Sequence, residues 1–97
     1  MITEHAILTV KAGQEPAFQA AFAEARPIIS GMPGFVDLSL SRSMETPNQY
    51  LLLVAWETVE AHTVGFRGAP EYQRWSELLH HFYEPMPIVE HFVDVKR

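Results

Sequence analysis

From Tyr50 to Trp56 the chain reads Tyr-Leu-Leu-Leu-Val-Ala-Trp, apolar at every position, between the turn-forming Thr46, Pro47 and Asn48 and the polar Glu57 and Thr58. A short apolar run with such boundaries is a strand covered on both faces, hence a central strand of a sheet. Helices of the same chain can cover one face. With 97 residues in all, the chain is a single domain (1–97) with one core, and only a second copy is left to cover the other face. A homodimer is therefore expected, the more so because a domain this small buries only about two-thirds of the surface of its unfolded chain.

The remaining elements follow from periodicity. Ile2 to Val10 is rich in Ile, Leu, Thr and Val and ends at Lys11-Ala12-Gly13, as a first strand would. Phe18, Ala21, Phe22, Ala25, Ile29 and Met32 recur every three or four residues, which predicts a helix from Gln14 to Met32. Pro16 suits its first turn, whereas Pro27 removes the hydrogen bond to the Ala23 carbonyl and is expected to bend or break the helix there. Gly31, Pro33 and Gly34 end it. Phe35 to Met44 alternates, with Val36, Leu38, Leu40, Arg42 and Met44 on one face and Asp37, Ser39, Ser41 and Ser43 on the other. Thr58 is placed to cap a short helix whose Val59, His62 and Phe66 share a face. Pro70 opens another helix with a stripe of Tyr72, Trp75, Leu78, Leu79 and Phe82, stopped by Pro85 and Pro87. Ile88 to Val95 is the last strand. The order strand, helix, strand, strand, helix, strand is the split β-α-β pattern of an α+β, ferredoxin-like fold with a four-stranded antiparallel sheet.

Composition narrows the function. Seven Lys and Arg against twelve Asp and Glu give a net charge of -5, and no basic cluster offsets it, so nucleic acid and anionic membrane surfaces are not expected partners. The absence of Cys removes disulfides, thiolate metal sites and thiol nucleophiles together. No stretch is long and apolar enough to span a membrane and no basic leader opens the chain, so a cytoplasmic protein is expected. His80 and His81 diverge on a helix, and His5 and His91 belong to different strands, where they could meet across neighbours but without a carboxylate at metal-ligating spacing. No metal is expected. Phosphate-binding loops, nucleophile elbows and nucleotide fingerprints are likewise missing.

Three features are left to carry chemistry. Arg42 stands on the apolar face of its strand, where a guanidinium needs a bound anion or a partner to offset its desolvation; the bland alternative is a strand-end side chain in solvent or paired across a dimer. His62 points inward with Val59 and Phe66 and is a candidate base near neutral pH, or else a core-edge histidine satisfied by a carbonyl or water. Tyr72 and Trp75 add a hydroxyl and an indole N–H to an apolar wall that is otherwise ordinary core.

Ala6-Ile7-Leu8-Thr9-Val10-Lys11-Ala12-Gly13, the turn Met32-Pro33-Gly34-Phe35, and Tyr50 through Trp56-Glu57-Thr58 into Ala61-His62 and Pro70-Glu71-Tyr72 resemble, in this order and spacing, the antibiotic biosynthesis monooxygenase family. The resemblance spans nearly the whole chain. It implies a dimeric α+β barrel, two sheets facing each other with the helices outside and a pocket between sheet and helices in each subunit. It also implies oxidation of a small electron-rich aromatic, a phenol, anthrone or quinol, by O2 with no cofactor, neither metal nor flavin. His62 as base, Arg42 as oxyanion partner and a wall of Trp56, Phe66, Tyr72, Trp75 and Phe82 against the substrate would supply what that reaction needs. A haem-degrading branch has an Asn on the first strand, a Trp on the short helix and an axial His on the next; here Ala6, Gly65 and Trp75 stand in those places, so haem is not expected. Many members carry a His one turn beyond His62, where this chain has Phe66. The fold also serves non-catalytic small-molecule-binding or stress-response dimers and cofactor-free isomerases, and these stay open.

Overall fold

The computed structural model describes residues 1–95. Its elements are β1 (Ile2–Thr9), α1 (Glu15–Ser30), β2 (Phe35–Arg42), β3 (Gln49–Trp56), a single π-helical turn (Ala61–Phe66), α2 (Pro70–Leu79), a 3-10 turn (His80–Phe82) and β4 (Val89–Phe92). The strands form one sheet in the order β2-β3-β1-β4, every neighbouring pair antiparallel. This is the expected α+β, ferredoxin-like arrangement, with β1 and β3 in the centre and both helices on one face.

Alternation decides which side chains meet the helices. Tyr50, Leu52, Val54 and Trp56 of β3 and Glu4, Ala6 and Leu8 of β1 are buried on the helix side. Against them α1 sets Phe18, Phe22, Ala25 and Ile29, and α2 sets Trp75 and Leu79. Phe18 is the hub of this layer, its ring within 6.0 Å of those of Phe22, Tyr50, Phe82 and Tyr83. On the opposite sheet face Leu51, Leu53 and Ala55 stay half-buried, and Ile7 is 38% and Phe92 51% exposed. No element of the described chain covers them.

Two local expectations are corrected. Helix α1 runs through Pro27 to Ser30 unbroken. Pro27 and Ala23 both lie on its exposed face, so water can satisfy the Ala23 carbonyl, and the end closes through Gly31 N–H to Pro27 O at 3.2 Å. In β2 the alternation fails at its start, because a bulge between Phe35 and Asp37 turns Val36 out to solvent. Phe35 takes the inner place, edge-on to Trp56 with ring centres 5.9 Å apart. Met44 lies past the strand and is exposed, and β4 is shorter than the expected Ile88 to Val95.

The turn before β2 positions the π-helical turn. Gly34 has φ +84°, and a Cβ there would lie 2.6 Å from the Cβ of Ala61. The Gly34 carbonyl accepts from Glu57 N–H at 2.8 Å, and Thr58 Oγ1 accepts from Ala61 N–H at 3.1 Å, the expected cap. The glycine thus lets the segment carrying His62 lie directly against the sheet. Gly34→Ala combines a left-handed backbone with a clash and should cost about 2 kcal/mol or more in urea unfolding, against about 0.5 kcal/mol for an indifferent surface change.

Candidate functional site

Among the described residues, Glu4 and His62 are the polar or charged side chains buried in the core, and Glu4 comes from the sheet. Burial of Ala6 and Leu8 sets the phase of β1 and brings Glu4 inside with them, 6% exposed, opposite Val54 on β3 and His91 on β4. The indole of Trp56 donates its N–H to Glu4 Oε1 at 3.0 Å. Burial nevertheless dominates and raises the Glu4 pKa, opposed by that hydrogen bond and by the nearby charge of Arg67.

His62 enters from the π-helical turn, where Arg67 N–H reaches back five residues to the His62 carbonyl at 3.1 Å. Its ring is 3% exposed and lies nearly parallel to the Trp56 indole, centres 5.6 Å apart. Nε2 is 3.4 Å from Glu4 Oε1, and Nδ1 is 2.9 Å from Nε2 of His91. Although the Glu4 contact has the spacing of an ion pair, the imidazole in it is neutral at pH 7. Burial first, and then the charges of Arg67 and His91, hold the His62 pKa down at about 4. The tautomer follows the proton on Glu4. An ionised Glu4 takes His62 Nε2–H and leaves Nδ1 to accept from His91, whereas a protonated Glu4 selects the opposite arrangement.

Glu4 and His62 form one wall of a cavity of about 170 Å³ between the sheet and α2. Phe66, Tyr72 and Trp75 form the facing aromatic wall, with Leu8 and Leu52 on the sheet and Arg67 and Met86 among the remaining lining. His80 and Tyr83 also line it. Burial lowers the pKa of His80 and raises that of Tyr83, so both are neutral at pH 7. The arrangement offers an acid-base pair beside an aromatic slot. Among the described residues no group of three or more His, Asp or Glu has the geometry to hold a metal ion.

The structure gathers His62, Phe66, Tyr72 and Trp75 from the sequence-derived set and leaves three others outside. Trp56 is fully buried behind His62, and Phe82 packs on Phe18 with ring centres 5.8 Å apart. Arg42 shares the helix-facing side of the sheet but stands on β2, the edge strand away from β4. Its Nε donates to the Pro47 carbonyl, its guanidinium lies 5.8 Å from the Tyr50 ring centre, and it lines a separate hollow with Gln19, Phe22 and Arg26. Arg42 and His62 therefore do not face one ligand site, a correction that follows from strand order. Sequence reasoning missed Glu4 and His91. Glu4 had a signal, since it falls in phase with Ala6, Leu8 and Val10 just as Arg42 does with Leu38 and Leu40. His91 had none, and it meets His62 rather than His5, which lies on the other sheet face.

Comparison with known proteins agrees with this fold. Residues 1–78 match the family model described as antibiotic biosynthesis monooxygenase. The Bacillus subtilis (strain 168) protein YczJ, itself uncharacterized, is 58% identical over 95 residues, 98% of this chain and all of that one. A crystal structure from Bordetella bronchiseptica, assigned by name to the same family, superposes with a TM-score of 0.93 at 38% identity, covering 98% of this chain and 97% of that one. SnoaB, a cofactor-independent oxygenase from Streptomyces nogalater, shares the fold with a TM-score of 0.85 at 21% identity, over 99% and 94% of the two chains.

The depressed pKa of His62 has a measurable consequence. The unfolded chain takes up its proton near 6.5 and the folded one only near 4, so the stability that the buried ring contributes is intact above pH 6.5 and lost as pH falls to 4. The raised pKa of Glu4 acts in the opposite sense, so the comparison must be with a variant. Wild type should lose stability relative to His62→Gln by about 1.4 kcal/mol per pH unit at most across this window. A difference in urea midpoints that stays constant from pH 7 to pH 4 would show that the ring is not held neutral.

Proposed function

The chain belongs to the antibiotic biosynthesis monooxygenase family, and from that premise we propose that it oxidises a small single-ring phenol or quinol with O2 and no cofactor. The observation that carries this reading is the buried Glu4–His62 pair across a cavity from Phe66, Tyr72 and Trp75. Size selects within the substrate class. A cavity of about 150 Å³ takes one benzene ring, so about 170 Å³ suits a single-ring substrate better than a three-ring anthrone.

Triplet oxygen reacts slowly with a neutral phenol but takes one electron from a phenolate. In this reading the substrate hydroxyl gives its proton to the Glu4–His62 pair. Arg67, which lines the cavity where Arg42 does not, supplies positive charge toward the phenolate. The phenolate passes one electron to O2, the phenoxyl radical and superoxide join at a ring carbon, and loss of water leaves a quinone. Phenol and O2 thus become quinone and water, with all four electrons accounted for and no metal needed.

The same reading includes a homodimer built on the open sheet face. Leu51, Leu53, Ile7 and Phe92 there have no cover in the described chain, and the buried Nδ1 of His5, on that face beside Phe92, has no hydrogen-bond partner among the described residues. Leu53→Asp places a charge in the middle of that face. Sedimentation should report a dimer for wild type and a monomer for the variant; a wild-type monomer at micromolar concentration removes this part of the proposal.

An oxygen electrode with a panel of phenols, catechols and hydroquinones tests the reaction, with anthrone as the size control. Uptake is expected with one-ring substrates alone, and Glu4→Gln and His62→Gln should each lower turnover by about 10²- to 10⁴-fold. Arg42→Ala should leave it near wild type. Binding of these compounds without oxygen uptake would instead favour a non-catalytic carrier, and their rearrangement without uptake an isomerase.

A further inference from the structure

The acid-base chemistry proposed above takes a proton from the substrate and returns one when water is lost, and it makes no use of His91. That residue stands on β4, the edge strand, directly opposite Glu4 of β1 in the sheet register. Both therefore project to the helix side. His91 is exposed, and its Nε2 lies 2.9 Å from His62 Nδ1, with the two ring centres 5.1 Å apart. His62 and Glu4 are almost fully buried. The three residues thus stand in line from the cavity wall to solvent, joined by one contact of 3.4 Å and one hydrogen bond of 2.9 Å. Both contacts of the Glu4 carboxyl, to Trp56 and to His62, fall on Oε1, and Oε2 takes part in neither.

We propose that Glu4, His62 and His91 are a proton path between the cavity and bulk water, with His91 as its outer end; the catalytic use of this path rests on the function proposed above, its existence does not. The substrate proton arrives at Glu4 Oε2 as the proton on Oε1 passes to His62 Nε2. His62 gives its Nδ1 proton to His91 Nε2, and His91 releases its Nδ1 proton to water. No electron moves, the imidazoles end neutral, and the charge balance is one phenolate in the cavity and one hydrated proton outside. The 3.4 Å separation of Glu4 Oε1 and His62 Nε2 must close by about 0.5 Å for transfer, within the tightening seen when a ligand fills an acid-base site. His62 is suited to relay rather than storage, because neither the carboxyl nor the cavity stabilises a lasting imidazolium. The charged and titratable neighbours are Arg67, which disfavours a cation on His62, and His80, Tyr72 and Tyr83 on the far wall. These three belong to α2 and the segment after it, and none is hydrogen-bonded to a His62 nitrogen.

Two measurements separate the path from a static hydrogen-bonded cluster. In the ligand-free protein, nitrogen-15 NMR of the His62 ring should show its N–H protons exchanging with water at least ten-fold faster in wild type than in His91→Phe, with His91→Gln, which cannot relay by tautomer exchange, equally slow. Equal exchange in all three overturns the path whether or not the protein oxidises anything. With a confirmed phenolic substrate, His91→Ala should lower kcat at least ten-fold with little change in KM, and added imidazole buffer should restore most of it while wild type stays insensitive to buffer. Wild-type turnover in His91→Ala, or a loss that imidazole does not repair, overturns its use in turnover. If no phenol is oxidised but the exchange contrast is found, the proposed reaction fails and the path stands.

Discussion

The Trp56 indole is fully buried, and its N–H finds its acceptor in Glu4, 52 residues away in sequence. An unmet indole donor in such a place would cost about 1–3 kcal/mol. Meeting it with a carboxylate brings a second polar group into the core and pushes its pKa upward. The same indole is the surface on which the His62 ring lies. One large aromatic at the end of the central strand therefore holds both members of the acid-base pair, in each of which burial favours the uncharged form.

Around that pair the core is divided into a filled half and an open half. Phe18 and the rings about it close the space between α1 and the strands. On the α2 side the sheet presents Ala6 between Glu4 and Leu8, and the small side chain leaves the volume that the cavity occupies. The facing aromatic wall cannot collapse into it, because Phe66, Tyr72 and Trp75 are held edge-to-face against one another with ring centres 5.1 to 5.6 Å apart. A polar pair thus stands on one side of the cavity and packed rings on the other.

Arg42 and Glu4 show how differently a charged residue on an apolar strand face can end. In sequence they are alike, each one ion in phase with aliphatic neighbours. Glu4 lies on a central strand with Trp56 beside it and is held at 6% exposure. Arg42 is at the end of an edge strand, and its long stem lets the guanidinium reach the Pro47 carbonyl and water while the alkyl part stays on Tyr50. The arginine drew attention and turned out exposed; the glutamate, overlooked, turned out to be the buried polar group on which the site is built.

Strand and helix order, the doubly apolar β3, the inward face of His62 and the aromatic stripe of α2 were all determined by the sequence alone. Each is a periodicity of two or near 3.6 residues, imposed locally by backbone geometry and by the removal of apolar side chains from water. Tertiary structure decided which faces meet. The order β2-β3-β1-β4 sends Arg42 to one edge and His91 to the other, brings Trp56 across to Glu4, and leaves His62 between a carboxyl and a second imidazole. These pairings depend on contacts between residues far apart in the chain, which no local periodicity encodes.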